Sequence, residues 1–120
     1  MCIHRRIRKT QWKGFMFSEK IFQIAVECVE SVSGLPYSDF MQTRKAECVD
    51  ARSILVTLLR DYGMREYHIS MYMGLTQQCI NKLYNNHHSR MRFNPILKRD
   101  YLMAHNDFTT IVQRIQYSDN

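Results

Sequence analysis

The sequence predicts an all-helical protein with one domain, and three observations support this prediction. The chain has 120 residues, of which 45% are apolar, enough for one hydrophobic core. Proline and glycine are scarce, with two and four residues respectively, and stretches of alternating apolar and polar residues are nearly absent. Apolar residues instead recur every three or four positions, which is the period of an amphipathic helix.

Two helices are predicted in the first half of the chain. Ser18 is a good N-cap, and Gly34 ends the first helix in the usual C-terminal manner. Pro36 fixes the start of a short helical turn, and Gly63 ends the second long helix. The expected inward-facing residues are Ile21, Phe22, Ala25, Cys28, Val29 and Val32 in the first helix, and Val49, Ile54, Leu55, Leu58, Leu59 and Tyr62 in the second.

The C-terminal segment is placed at residues 94–120, and its helix is predicted to run from a capped start at Asn94 and Pro95 to about Gln116. The pair Asn106 and Asp107 is a candidate break within it. Its apolar stripe either covers the domain's own core or forms the seam of a homodimer. The stripe consists of Leu97, Tyr101, Ala104, Phe108, Ile111 and Ile115.

Residues 66–85 fit a helix–turn–helix inside the main domain, which we place at residues 18–93. Two helices that cross closely need a small residue at the crossing, and Ser70 supplies it. Gly74 falls at the turn, where a left-handed backbone is required, and Thr76 follows as an N-cap. The expected buried positions are Ile69, Met73, Leu75, Ile80 and Leu83.

This register turns a row of amide side chains outward on the second helix. A recognition helix presents its N-terminal residues to base edges in the major groove of DNA. Asparagine and glutamine can pair bidentately with adenine, so the predicted base-reading residues are Gln77, Gln78, Asn81 and Asn85. Cations supply affinity through the phosphates. The predicted backbone contacts here are Thr76, Lys82, His87, His88, Arg90 and Arg92.

The charge distribution favours a polyanionic partner. The net charge is +6, and residues 67–99 contain five lysines and arginines but no acidic residue. Residues 1–17 form a basic N-terminal arm that also carries Trp12, Phe15 and Phe17. This arm either lies in a minor groove or along phosphates, forms a disordered tail, or folds back onto the core.

The layout of residues 18–86 resembles the C-terminal DNA-binding domain of the bacterial replication initiator DnaA, in the Trp-repressor-like helix–turn–helix class. The shared features are an amphipathic helix ending at Gly34, the turn "LPYSDFM", the basic "TRK" at 43–45 and an "AR" pair at 51–52 that opens a long helix. The resemblance implies that Arg44 and Lys45 contact phosphates and that Arg52 enters the minor groove. It also implies a bacterial regulator of transcription, replication or a mobile element.

The chain departs from that family in two respects. Gln77 and Gln78 stand where the family places its base-reading signature Asp-His-Thr-Thr, so a different DNA target is expected. No G-x-x-x-x-G-K-[ST] motif is present, so the initiator's ATPase is absent from this sequence. The main alternative function is a helical protein–protein interaction module without DNA specificity.

Several other classes of protein are disfavoured. The adjacent His87 and His88 have no cysteine or carboxylate at zinc-like spacing, and no G-x-S-x-G nucleophile motif is present. No enzyme activity, metal, cofactor or small-molecule ligand is therefore predicted. The four cysteines lack a C-x-x-C pair, no apolar run reaches membrane-spanning length, and a reduced cytoplasm is the expected compartment.

Overall fold

A computed structural model describes the backbone of residues 2–118 and the side chains of residues 18–116. This part of the chain is all-helical, as predicted, and contains no strand. Its six helices are α1 (Cys2–Ser33), α2 (Tyr37–Gln42), α3 (Ala46–Tyr62), α4 (Glu66–Met73), α5 (Gln77–Phe93) and α6 (Pro95–Ser118).

Helix α3 is the central helix and packs against the other five. Every residue from Ser53 to Leu59 is buried, so α3 is covered on all sides rather than on one stripe. Its two buried hydroxyls are satisfied locally. Ser53 Oγ donates to the Asp50 carbonyl at 2.8 Å, and Thr57 Oγ1 donates to the Ser53 carbonyl at 2.7 Å. Burial of each large aliphatic side chain stabilises the fold by about 1.5–3 kcal/mol.

The predicted helix ends in the interior of the chain are confirmed. Gly34 and Gly63 have φ angles of 72° and 114°, in the left-handed region that favours glycine at a helix C-terminus. At the start of α6, Asn94 Oδ1 accepts a hydrogen bond from the backbone N–H of Leu97 at 3.1 Å. Pro95 is the first helical residue, where its missing N–H costs nothing.

The predicted start of the first helix at Ser18 is wrong, because α1 begins at Cys2. A serine is tolerated inside a helix, and residues 2–17 contain no proline that would end one. The predicted roles of the arm's side chains lie outside the described residues. Helix α1 buries Ile21, Ile24, Ala25, Cys28 and Val29 in the core.

Helix α6 is unbroken at Asn106 and Asp107, whose side chains are exposed to solvent. Its 24 residues give a length of about 36 Å. The helix packs on α1, α3 and α5, so its apolar stripe covers the chain's own core. Val112 is buried, whereas Ile111 is 37% exposed. A homodimer through α6 would therefore have to use another face of this helix.

Cys28 is buried, as predicted, and so is Cys48, while Cys79 is half-buried; all three are free thiols. Among the helices that the structure describes, none is long and apolar enough to cross a membrane.

Candidate nucleic-acid interface

The turn between α4 and α5 has the local geometry that the sequence predicts. Gly74 has a φ of 68°, and its N–H donates to the Ser70 carbonyl at 2.9 Å. Thr76 is the N-cap of α5, and its Oγ1 accepts from the Cys79 N–H at 3.1 Å. Ser70 also donates its hydroxyl to the Leu75 carbonyl, which closes the turn from the other side.

The apolar side of α4 and α5 anchors the turn to the core. Ile69, Met73 and Ile80 are buried, and Leu75 and Leu83 are partly buried against the same cluster. All five were predicted to face inward. Because this side is fixed, the opposite side of α5 must face solvent.

The solvent-facing side of α5 carries the predicted base-reading residues. Gln77, Gln78, Asn81 and Asn85 are all exposed, as is Lys82. Asn85 Nδ2 donates to Asn81 Oδ1 at 3.2 Å, so these two amides are held next to each other. Further along, His88, Ser89 and Arg92 are also exposed. At 3.6 residues per turn these positions continue the same face, so one polar stripe runs along the length of α5.

The basic residues of the α2–α3 loop have different environments. Arg44 and Lys45 are exposed, and Lys45 is the N-cap residue of α3. Arg52 points inward instead. Its Nε donates to the Phe40 carbonyl at 2.7 Å, and another guanidinium nitrogen donates to the Thr43 carbonyl. These carbonyls lie at the C-terminal end of α2, where helix carbonyls lack partners. Arg52 therefore joins α2 to α3.

Arg90 and Arg92 lie on opposite sides of α5. Arg90 forms an ion pair with Asp50 at 3.2 Å, and Asn94 Nδ2 donates to the other oxygen of that carboxylate at 3.3 Å. Burial raises the pKa of Asp50, Arg90 lowers it and the nearby Asp100 raises it. Arg92 is exposed, which suits the phosphate contact predicted for it.

The phosphate-contacting role predicted for His87 is wrong, because its side chain is fully buried. Its Nδ1 lies 3.2 Å from Ser53 Oγ, whose hydrogen goes to the Asp50 carbonyl, so the imidazole is the donor. The ring of Tyr101 packs against it, with the centroids 4.8 Å apart. Burial, the nearby His88 and Arg90 lower the pKa of His87 to about 4, and Asp61 opposes them. His87 is therefore neutral at pH 7.

Three hydrogen-bonding side-chain contacts join α5 to α3, and the sequence does not predict them. Tyr84 donates to Asp61 at 3.1 Å, His87 contacts Ser53, and Arg90 contacts Asp50. The partners on α3 come in reverse order along the chain, so the two helices run in opposite directions where they contact. Tyr101 of α6 donates to the second Asp61 oxygen at 3.1 Å.

The spacing of Ile80, Leu83, His87 and Met91 repeats every three or four residues. This period continues beyond Asn85 and indicates that His87 lies on the inner side of α5.

Comparison with models of protein families, with curated proteins and with solved structures found no match to this chain. Among the side chains that the structure describes, no group of three or more His, Cys, Asp or Glu residues could hold a metal ion.

Proposed function

We propose that this chain binds double-stranded DNA in a sequence-specific manner and that α5 is its recognition helix. The observation that carries the proposal is the exposed polar stripe of α5, which begins directly after a capped turn. In a helix–turn–helix protein the N-terminal residues of the second helix contact base edges. Here those residues are amides rather than carboxylates, which suits an interface with a polyanion.

The amide side chains supply the base-reading chemistry. A glutamine or asparagine can accept from adenine N6 and donate to adenine N7 at once. Gln77 and Gln78 stand at the N-terminus of α5, and Asn81 and Asn85 follow on the next turns. The contact between these two asparagines leaves each amide with further donors or acceptors for a base edge.

The charge around α5 supports the same partner. Residues 67–99 contain no acid, so α5 itself presents no carboxylate to DNA phosphates. Lys82 and Arg92 on α5, with Arg44 and Lys45 in the α2–α3 loop, are exposed cations suited to phosphates. Arg52 and Arg90 contribute less to the proposal because protein groups already accept their hydrogen bonds.

A helical interaction module without DNA specificity is the second candidate. The observation in its favour is a set of exposed large apolar side chains near the α5–α6 corner, among them Phe93 at 83% exposure and Ile96 at 63%. Such residues are common at protein interfaces when they form a contiguous patch.

Selection of bound duplexes from a random-sequence pool, with the full chain at physiological salt, separates the two candidates. We expect enrichment of a preferred sequence. Gln77→Ala or Gln78→Ala should then weaken binding to that sequence by about 1–3 kcal/mol, or about 5- to 150-fold, and leave non-specific binding nearly intact. The matched control is Gln113→Ala, which removes an exposed glutamine from α6.

Two outcomes would contradict the proposal. A pool with no retention and no enrichment would favour the interaction module. Retention that is lost entirely on deletion of residues 1–13, without any effect of the Gln77 and Gln78 substitutions, would place DNA binding in the arm instead of α5.

A further inference from the structure

An open pocket of about 500 Å³ lies at the corner where α5 ends and α6 begins. It is formed by the last turns of α5 and the first turn of α6. Its lining residues are His88, Met91, Arg92, Pro95 and Lys98.

The polar side chains of this pocket are all basic. Arg92 and Lys98 are exposed, and within the described part of the chain neither forms an ion pair. The neighbouring cavity of about 200 Å³ has the opposite character, with Glu47, Asp50 and Asp100 in its lining. Basic side chains thus line one pocket at the α5–α6 corner, and acidic side chains line the other. Positive charges that line the same pocket attract an anion between them.

The beginning of α6 adds to the positive potential. Pro95 is the first residue of this 24-residue helix and lines the pocket. The N-terminus of a helix carries a partial positive charge and favours anions. The C-terminus of α5 lies at the same corner with the opposite partial charge and offsets this contribution, so the charge of the pocket comes mainly from Arg92 and Lys98.

The two apolar lining residues indicate what kind of anion fits. Met91 is half-buried beside the basic groups, and Pro95 forms a rigid edge. A pocket of this size exceeds the space that a bare phosphate fills. A phosphate joined to sugars would place its charged oxygens near Arg92 and Lys98 and its sugars against Met91 and Pro95.

We propose that this pocket binds a phosphodiester group of a DNA backbone, at the edge of the site that α5 contacts. The inference rests on the proposed function. The sixteen residues from Gln77 to Arg92 span about 22 Å along the helix axis, whereas the major groove is about 12 Å wide. When the N-terminal turns of α5 contact bases, its C-terminal turns lie beyond the groove, over the phosphates.

The salt dependence of duplex binding tests the pocket. Each phosphate contact contributes about −0.9 to the slope of log K against log salt concentration. Arg92 and Lys98 share one phosphate, so Arg92→Gln, Lys98→Gln and the double variant should each reduce the magnitude of the slope by at most about 1. Arg99→Gln is the matched control. It removes the same charge from the next residue of α6, but Arg99 is paired with Asp100 at 3.5 Å and does not line the pocket.

The outcomes distinguish failure of the pocket from failure of the proposed function. Suppose that wild-type protein prefers one sequence and that Gln77→Ala abolishes this preference. If Lys98→Gln and Arg92→Gln then have the same salt slope as Arg99→Gln, the pocket is wrong and the recognition helix stands. If wild-type protein binds no duplex at all, the recognition helix is wrong.

NMR titration with a thymidine dinucleotide, which has a single phosphodiester, then decides about the pocket. The inference is supported by chemical-shift changes of the backbone amides at positions 92 and 98 that disappear in the variant carrying both Arg92→Gln and Lys98→Gln. No shift overturns the inference. A response to inorganic phosphate without a response to the dinucleotide identifies a free anion as the ligand and also overturns the backbone assignment.

Discussion

Lowering the pH from 7 to 4 should destabilise this protein through His87, the one fully buried imidazole among the described side chains. His87 sits between α3 and α6, with Ser53 as its polar partner and the ring of Tyr101 against it. Its Nε2 has no hydrogen-bond partner among the described residues. A charged imidazolium in this position would place a second, unpaired N–H in the core, which is unfavourable.

The magnitude follows from the difference in proton binding between the folded and unfolded states. The unfolded chain protonates His87 near its usual pKa of 6.5, whereas burial first, and then His88 and Arg90, lower the folded pKa to about 4. Between these values the unfolded state binds more protons, so the free energy of unfolding falls as the pH falls. At about 1.4 kcal/mol per pKa unit, the loss at pH 4 is about 3 kcal/mol. This is a large part of a typical domain's stability.

The assay is urea unfolding followed by circular dichroism between pH 4 and 7.5 at constant ionic strength, for wild type and His87→Leu. We expect similar stability at pH 7, because leucine fills the apolar site and Ser53 keeps its bond to the Asp50 carbonyl. At pH 4 the variant should be about 3 kcal/mol more stable than wild type. The raised pKa of Asp50 acts in the opposite direction, but it is common to both proteins and largely cancels in the difference.

Ile54→Val is the matched control. It truncates a buried, non-titrating side chain of α3 and should cost about 0.5–1.5 kcal/mol at every pH. Parallel pH profiles of wild type and His87→Leu would refute the reasoning, because they would mean that His87 gains no extra protons on unfolding.

Two further substitutions test the elements that hold α5. Gly74→Ala should cost about 1–2 kcal/mol in urea unfolding. Its φ of 68° strains an alanine although nothing lies within 4 Å of the added Cβ. A cost near zero would contradict a left-handed Gly74. Tyr101→Phe should lower the free energy of unfolding by about 1 kcal/mol, because it removes the hydrogen bond to one oxygen of Asp61. Tyr84→Phe removes the hydrogen bond to the other oxygen and should lower it by a similar amount. If neither substitution lowered the stability, the link between α3, α5 and α6 would be contradicted.

The features that the sequence predicted correctly are mostly local ones. A glycine with a positive φ, as at Gly63 and Gly74, ends a helix through its own backbone and needs no distant partner. The caps at Thr76 and Asn94 likewise involve residues three positions away. Short-range chemistry of this kind is readable from the order of residues alone. The sequence does not predict the start of α1, because Ser18 has the chemistry of a cap although it lies inside the helix.

The features that the sequence did not predict depend on distant partners. The sequence around His87 and Arg90 is polar and basic and does not indicate that either residue has a partner. Only the packing of α5 on α3 brings His87 to Ser53 and Arg90 to Asp50. The family resemblance implies a minor-groove contact for Arg52, whereas the structure shows its guanidinium bonded to carbonyls at the end of α2. Charge counts treat such cations as equivalent, whereas tertiary contacts divide them into paired and exposed groups.

This division of side chains on α5 has a consequence for binding. The three contacts from Tyr84, His87 and Arg90 to α3 lie three residues apart along the inner side of α5. They hold the helix along much of its length, in addition to the apolar contacts of Ile80. The backbone beneath the exposed stripe is therefore ordered before any partner arrives. Association then costs mainly the rotamer freedom of exposed glutamine, asparagine and lysine side chains, about 0.5–1.5 kcal/mol for each one immobilised. For the DNA recognition that we propose, a preordered helix with adaptable amides is suited to discriminate between similar sequences, because a mismatched base loses hydrogen bonds that the backbone cannot shift to restore.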